Sequence, residues 1–245
     1  MTDWMRGVRR IAVLTGAGLS TDSGVPDYRG PDGEWTRSPE AAGLFTAANF
    51  LGDPEVRARL WRRYLDHPVW RAEPNAAHRA LAELAGGPAV RVLTQNVDGL
   101  HQRAGVPARK VFELHGNLRT TGCVLCGTEV ETRVVLDRVR AGEADPSCVD
   151  CGGVLKPGIV LFGEHLDPEV IGRARTVAAA SELFLAVGSS LQVEPAASLC
   201  TVAVAAGARL VVVNNEPTPY DGQAVEVVRE PIGEALPRIC AGLLG

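Results

Sequence analysis

Short, nearly continuous apolar runs recur along the chain at 11–15, 90–94, 111–114, 158–161, 183–187, 210–213 and 224–228. Runs that are apolar throughout, rather than at every second position, predict strands buried on both faces, as in a parallel sheet. Several of the intervening segments repeat their apolar residues every three to four positions. Segment 75–84 follows Pro74, offers Asn75 as an N-cap, and puts Ala76, Ala80, Leu81 and Leu84 on one face. Segments 168–180, 196–206 and 232–243 follow the same pattern. Strands alternating with helices predict an α/β fold: a doubly wound, mostly parallel, Rossmann-like sheet.

Two segments interrupt the alternation. Residues 31–73 are rich in Trp and Arg and helical in pattern, while 118–156 carries four cysteines and little regular periodicity. Both read as insertions that together form a small helical and metal-binding domain. Residues 1–30, 74–117 and 157–245 then make one discontinuous nucleotide-binding domain. A ligand cleft is expected where the carboxyl ends of its strands meet the insertions.

At 245 residues, with 46% hydrophobic and 22% charged positions, the chain has the composition of a soluble globular protein. A net charge of -4 argues against nucleic acid as a partner. Its first ten residues lack the apolar core of a signal peptide, and Arg209 breaks the longest apolar stretch well short of the ~18 residues of a membrane span. A cytoplasmic protein without membrane contact is expected. No heptad pattern marks a self-associating helix, so a monomer is the default.

Cys123, Cys126, Cys148 and Cys151 form two C-x2-C pairs with 21 residues between them. Each pair sets two sulfurs on one knuckle, and two knuckles complete a tetrahedral thiolate shell for zinc. The separation slightly exceeds the ~15–20 residues of a usual zinc ribbon. Four sulfur ligands leave no position open for water, so the expected zinc is structural. Two disulfides are the alternative, disfavoured in a chain without an export signal. Cys200 and Cys240 fall in apolar helical patterns and read as core thiols.

Three polar segments follow predicted strands. The first contains Gly16, Ala17, Gly18 and Ser20, and continues through Pro26, Asp27, Tyr28, Arg29 and Gly30. Glycines there let backbone N–H groups approach a phosphate, although Thr21 stands at the third glycine position of G-x-G-x-x-G. The second is Thr94-Gln95-Asn96-Val97-Asp98-Gly99-Leu100-His101, and the third is Glu113-Leu114-His115-Gly116. Taken singly, the second can also be read as a polar turn, and a histidine such as that of the third is more often structural than a base. Together they gather amides, a carboxylate and an imidazole at strand carboxyl ends.

These segments resemble, in order, the signatures of the sirtuins, the NAD-dependent protein-lysine deacylases. Tyr28 stands where that family usually has Phe. The resemblance continues through Lys156-Pro157-Gly158-Ile159-Val160-Leu161-Phe162-Gly163-Glu164, with Lys156 in place of the usual Arg. It extends to Gly188-Ser189-Ser190-Leu191-Gln192-Val193 and to Asn214-Asn215-Glu216-Pro217-Thr218.

The resemblance implies a deacetylase that consumes NAD and releases nicotinamide, 2′-O-acyl-ADP-ribose and free lysine from acyl-lysine proteins or peptides. Backbone around Ala17 and Gly18, with Gly188, Ser189 and Ser190, would hold the phosphates. Asn214, Asn215, Glu216 and Ile232 would line the adenosine end. Gln95, Asn96, Val97 and Asp98 would organise the ribose and nicotinamide pocket. The loop bearing Pro26, Asp27, Tyr28 and Arg29 would close over the cofactor and exclude water. His115 is the implied general base toward a ribose hydroxyl, with Asn96 beside it. Val160, Phe162, Gly163, Glu164, Leu191 and Val193 would border the acyl-lysine and its peptide, which adds a strand between two edges.

Relatives that favour succinyl-lysine resemble one another in a Tyr-x-x-Arg pair, for which the matching positions here are Trp61 and Tyr64. With the cation missing, poor desuccinylase activity is expected. A conventional dehydrogenase would call for the complete glycine fingerprint. A zinc-ribbon binding module would leave His115, Asn96 and Asp98 without a purpose. An ADP-ribosyltransferase of the same family is the third alternative, and it does not account for His115 as well as deacylation does.

Overall fold

The computed structural model describes residues 3–31, 33–87 and 89–245. Its strands are β1 (Arg10–Thr15), β2 (Ala89–Thr94), β3 (Val111–Glu113), β4 (Gly116–Cys123), β5 (Glu129–Glu131), β6 (Leu155–Ile159), β7 (Leu183–Val187), β8 (Arg209–Val213) and β9 (Glu226–Val228). The α-helices are α1 (Glu34–Arg37), α2 (Ala47–Gly52), α3 (Pro54–Leu65), α4 (Ala76–Gly86), α5 (Leu100–Arg103), α6 (Thr132–Arg140), α7 (Pro168–Ala180), α8 (Leu199–Ala205) and α9 (Ile232–Leu244).

Six strands form one wholly parallel sheet in the order β3-β2-β1-β7-β8-β9. Side chains alternate across it with the period of two that a strand imposes. Ile11, Val13, Leu183, Leu185, Val211 and Val213 pack on the side of α4 and α9, against Leu81, Leu84, Leu236 and Ile239. Ala12, Leu14, Phe184, Ala186, Leu210 and Val212 pack on the opposite side, against Ala174 and Ala178 of α7 and Leu199 and Cys200 of α8. Helices on both faces explain why these strands read as unbroken apolar runs. The expected core thiols Cys200 and Cys240 are both buried.

Asn75 caps α4 as expected. Its side chain accepts from the His78 amide, and the His78 ring reaches back to the Asn75 amide, closing a capping box. Helix α7 has the bounds its pattern predicts, whereas α8 starts three residues later than the 196–206 pattern.

The chain runs β1 to β2 to β3 outward on one side, then returns to the centre and runs β7 to β8 to β9 on the other. The direction reverses between β1 and β7, and such a switch point opens a crevice at the carboxyl ends of the two strands.

A second sheet holds three antiparallel strands in the order β5-β4-β6. The run at 158–161, read as part of the large sheet, contributes instead to β6, which begins before residue 157 and pairs with β4. Its burial alternates along Leu155–Ile159, the mark of a strand with one covered face. Segment 118–156 is also more regular than its sequence implies. It holds most of β4, all of β5 and helix α6, whose Val135, Leu136 and Val139 face inward. These residues share one core with Leu44, Phe45, Phe50, Leu60, Trp61 and Tyr64 from the other insertion. Among the described residues, no helix is long and apolar enough to cross a membrane.

Candidate active site

The loops after β1 and β7 meet at the switch point. The Gly16 amide donates to the Val187 carbonyl at 3.0 Å, and the Gly18 amide to the Gly188 carbonyl at 2.9 Å. A Cβ on Gly16 would lie 2.6 Å from the Gly188 carbonyl oxygen, and Gly188 itself has φ +63°. Glycine is therefore required here by loop-against-loop packing as well as by any phosphate. Among the described residues, the backbone amides of Ala17, Ser189 and Ser190 have no protein acceptor, and all three residues line the crevice. Three unspent N–H donors beside a helix-layered switch point fit a pyrophosphate.

Polar side chains are knitted together on the β2 side. Gln95 donates to the Ser189 hydroxyl at 2.8 Å, bridging the two halves of the sheet. Asn96 donates its side-chain amide to Ser20 at 3.2 Å, and the Ser20 hydroxyl donates in turn to Asp98 at 2.8 Å. Asp98 also accepts the Leu100 amide at 2.8 Å and is only 4% exposed. Buried and spent on these bonds, it orients Asn96 rather than facing the crevice.

His115 follows β3. Its Nδ1 lies 3.1 Å from the Gln95 carbonyl oxygen, which can only accept, so the ring proton sits on Nδ1 and Nε2 keeps its basic lone pair. Burial holds the imidazole below its ordinary pKa, and the Gln95 carbonyl pulls the other way. The ring is thus neutral at physiological pH.

These segments surround a cleft of ≈ 1040 Å³. Its wall includes Gly16, Ala17, Gly18, Asp27, Tyr28, Arg29, Gln95, Asn96, Val97, His115, Val160, Phe162, Gly163, Glu164, Gly188, Ser189, Ser190, Val193, Asn214 and Glu216. Ser20, Pro26, Asp98, Leu191, Asn215 and Ile232 lie off that wall. The Ile232 side chain packs instead on the large core, close to Gly188.

A profile of the Sir2 family matches residues 16–195. The chain is 60% identical over 240 residues to NAD-dependent protein deacetylase 2 of Streptomyces coelicolor, covering 98% of this chain and all of that one. It is 42% identical over 232 residues to the NAD-dependent protein deacetylase of Saccharolobus solfataricus, covering 92% of this chain and 89% of the other. The chain belongs to the Sir2 family.

Solved structures agree with that assignment. A Sir2 complex with a p53 peptide and NAD+ superposes with a TM-score of 0.87 at 36% identity, covering 98% of this chain and 95% of the other. Sir2Tm bound to a propionylated peptide gives 0.86 at 34% identity, with the same coverage.

This Sir2 chain also recruits wall residues that the motifs do not flag. Trp35 is the chief of them. Its ring lies 4.7 Å from Tyr28 and 5.3 Å from Phe162, and the Arg29 guanidinium stacks over it at 4.6 Å. Phe45, His165 and Glu194 join it on the wall. The Trp-rich composition of 31–73 was the available signal for Trp35; nothing marked His165 or Glu194.

Trp61 and Tyr64 do not border the cleft. They are consecutive on the inward face of α3, 0% and 4% exposed, inside the core shared by the two insertions. Burial and the neighbouring Glu34 hold the phenols of Tyr28 and Tyr64 neutral. Lys156, in place of the usual Arg, donates to Glu164 at 3.1 Å while that carboxylate accepts the Leu161 amide at 2.8 Å, bracing the loop 161–164.

The four paired cysteines are free thiols whose sulfurs lie within 4.8 Å of one another. Cys123 and Cys151 are 3.5 Å apart and Cys126 and Cys148 3.7 Å, far beyond a disulfide. A tetrahedron with ~2.3 Å zinc–sulfur bonds has edges near ~3.8 Å. The cluster fits one structural zinc.

Proposed function

We propose that this chain is an NAD-dependent protein-lysine deacetylase acting on acyl-lysine peptides and proteins. The observation that most supports this reading is the fixed tautomer of His115, whose basic Nε2 belongs to the same cleft as the unspent amides of Ala17, Ser189 and Ser190. Its relatives' names and the NAD+ and peptide in a neighbouring structure agree with it.

NAD supplies the ribosyl carbon that accepts the acyl oxygen once nicotinamide leaves. The residues of this chain divide the remaining work. The three amides bind the pyrophosphate, with Asn214 and Glu216 toward the adenosine. Asn96, held by Ser20 and Asp98, lines the nicotinamide side, and Gln95 holds the ribose against Ser189. Tyr28 and Arg29, packed on Trp35, cover the reacting centre and exclude water. His115 Nε2 takes the proton from the ribose hydroxyl that attacks the transferred acyl group. Val160 and Phe162 flank the acyl-lysine. The zinc, held by Cys123, Cys126, Cys148 and Cys151, stabilises β4, β6 and their loops and takes no part in chemistry. We further infer that 31–73 and 118–156, joined by their common core, act as a small domain hinged on the large sheet.

The test is nicotinamide release from NAD in the presence of an acetyl-lysine peptide, with mass spectrometry of the products. Stoichiometric nicotinamide, acetylated ADP-ribose and free lysine are expected, and release that ignores the peptide's acetyl group would overturn the reading.

A further inference from the structure

Two stretches of backbone along the cleft have amides with nothing to bond. Among the described residues, the N–H groups of Gly163 and His165 on one wall and of Gln192 and Val193 on the other make no intramolecular hydrogen bond. Extended chain laid between them would gain partners on both edges, as a strand added to a sheet does. Gln192 and Glu194 both line this wall, where the chain leaves the Val193 bend and enters a turn, so both border such a guest.

Glu194 is exposed, yet its carboxylate is anchored. One oxygen accepts the Ser198 amide at 3.1 Å, which leaves the other oxygen available. Among the described residues it is in no ion pair. The other carboxylate on this part of the wall, Glu164, is already neutralised by Lys156 at 3.1 Å. Among the described residues, Arg29 is the one arginine of the cleft wall, at the aromatic end over Trp35, and no lysine lines it.

Resting on the deacylase reading above, we propose that Glu194 is a specificity determinant that selects acyl-lysine substrates carrying Arg or Lys close to the modified residue. An oriented, unpaired carboxylate beside the peptide's path attracts a guanidinium or ammonium and repels a carboxylate. At the rim of a cleft that difference is modest and screened by salt.

The experiment compares kcat/KM for acetyl-lysine peptides identical except for Arg, Gln or Glu at the positions flanking the acetyl-lysine. At low ionic strength the best Arg peptide should exceed its Glu counterpart by roughly three- to tenfold, and the ratio should shrink toward one as salt is raised. Glu194→Gln keeps an oxygen for the Ser198 amide and should bring the Arg-to-Glu ratio close to one. Glu194→Lys should invert it. Equal turnover of all peptides, or a preference that survives Glu194→Gln, would sink this proposal while leaving the deacylase reading standing. No NAD-dependent turnover of any acetylated peptide would sink both.

Discussion

The Nδ1 proton of His115 goes to the carbonyl oxygen of Gln95, 3.1 Å away, so the main chain of one polar segment sets the tautomer of the next. His115→Ala should lower deacetylation by at least ~10²-fold, the usual scale for a lost general base. NAD affinity by calorimetry should stay within a few-fold, because the phosphate-binding amides belong to other loops. Near-normal turnover would remove His115 from the chemistry.

The depressed pKa of His115 also shapes the pH profile. The neutral ring is the active base, so kcat/KM should hold constant from pH 8 down to the ordinary imidazole range near ~6.5. It should fall only at lower pH, since burial has moved the titration downward. An acidic limb centred above that range would contradict the buried geometry.

Stability should respond to acid through another pair. His78 and His101 are fully buried, with ring centroids 5.2 Å apart, and burial lowers their pKa values to about 4 and about 3. Below ~6.5 the unfolded chain binds protons that the folded chain refuses. Their contribution is therefore intact above ~6.5 and is lost as pH falls through that value toward the folded ones. The loss runs at up to ~1.4 kcal/mol per pH unit for each ring. Urea titrations between pH 7 and 5 should show the decline, and His101→Gln should flatten it. An unchanged slope in that variant would assign the acid sensitivity elsewhere.

One zinc per chain is expected by metal analysis. Chelation, or Cys148→Ser, should unfold the three-stranded sheet before the six-stranded one, because the metal's binding energy is folding energy there. Metal-free protein with full thermal stability would contradict it.

Acetyl-lysine should be preferred to succinyl-lysine. Trp61 and Tyr64 are in the core, and on the cleft wall Val160, Phe162, Trp35 and Phe45 are apolar or aromatic while Arg29 is occupied by stacking. The succinyl carboxylate buried there would lack a partner. Paired kcat/KM values on one peptide decide it, and a succinyl preference would refute it.

The large sheet was legible because both its faces are covered, which turns each strand into an apolar run such as Ile11 to Leu14. The site's principal segments were legible because they follow those runs at carboxyl ends. Strand β4 was not, since Gly116–Cys123 is mostly polar and is stabilised by its neighbours, α6 and the cysteine cluster. The inward face of α6, Val135, Leu136 and Val139, is a short apolar stripe on a nine-residue helix set between the two cysteine pairs, too brief to stand out as a helical repeat. Trp61 and Tyr64 face the core and not the cleft, because spacing along a sequence gives position on a helix and not which neighbour that face meets. Glu194 carries no local pattern; only the closing of the cleft brings it to the wall.

The order of strands also bears on synthesis. Central strand β1 pairs Ile11 with Leu183, so one edge of it stays bare until residue 187 has left the ribosome. The last cysteine of the metal cluster, Cys151, emerges before then. The three-stranded sheet and its zinc can therefore assemble on the nascent chain while the larger half waits, and a strand as apolar as β1 spends that interval with one edge open to wrong partners.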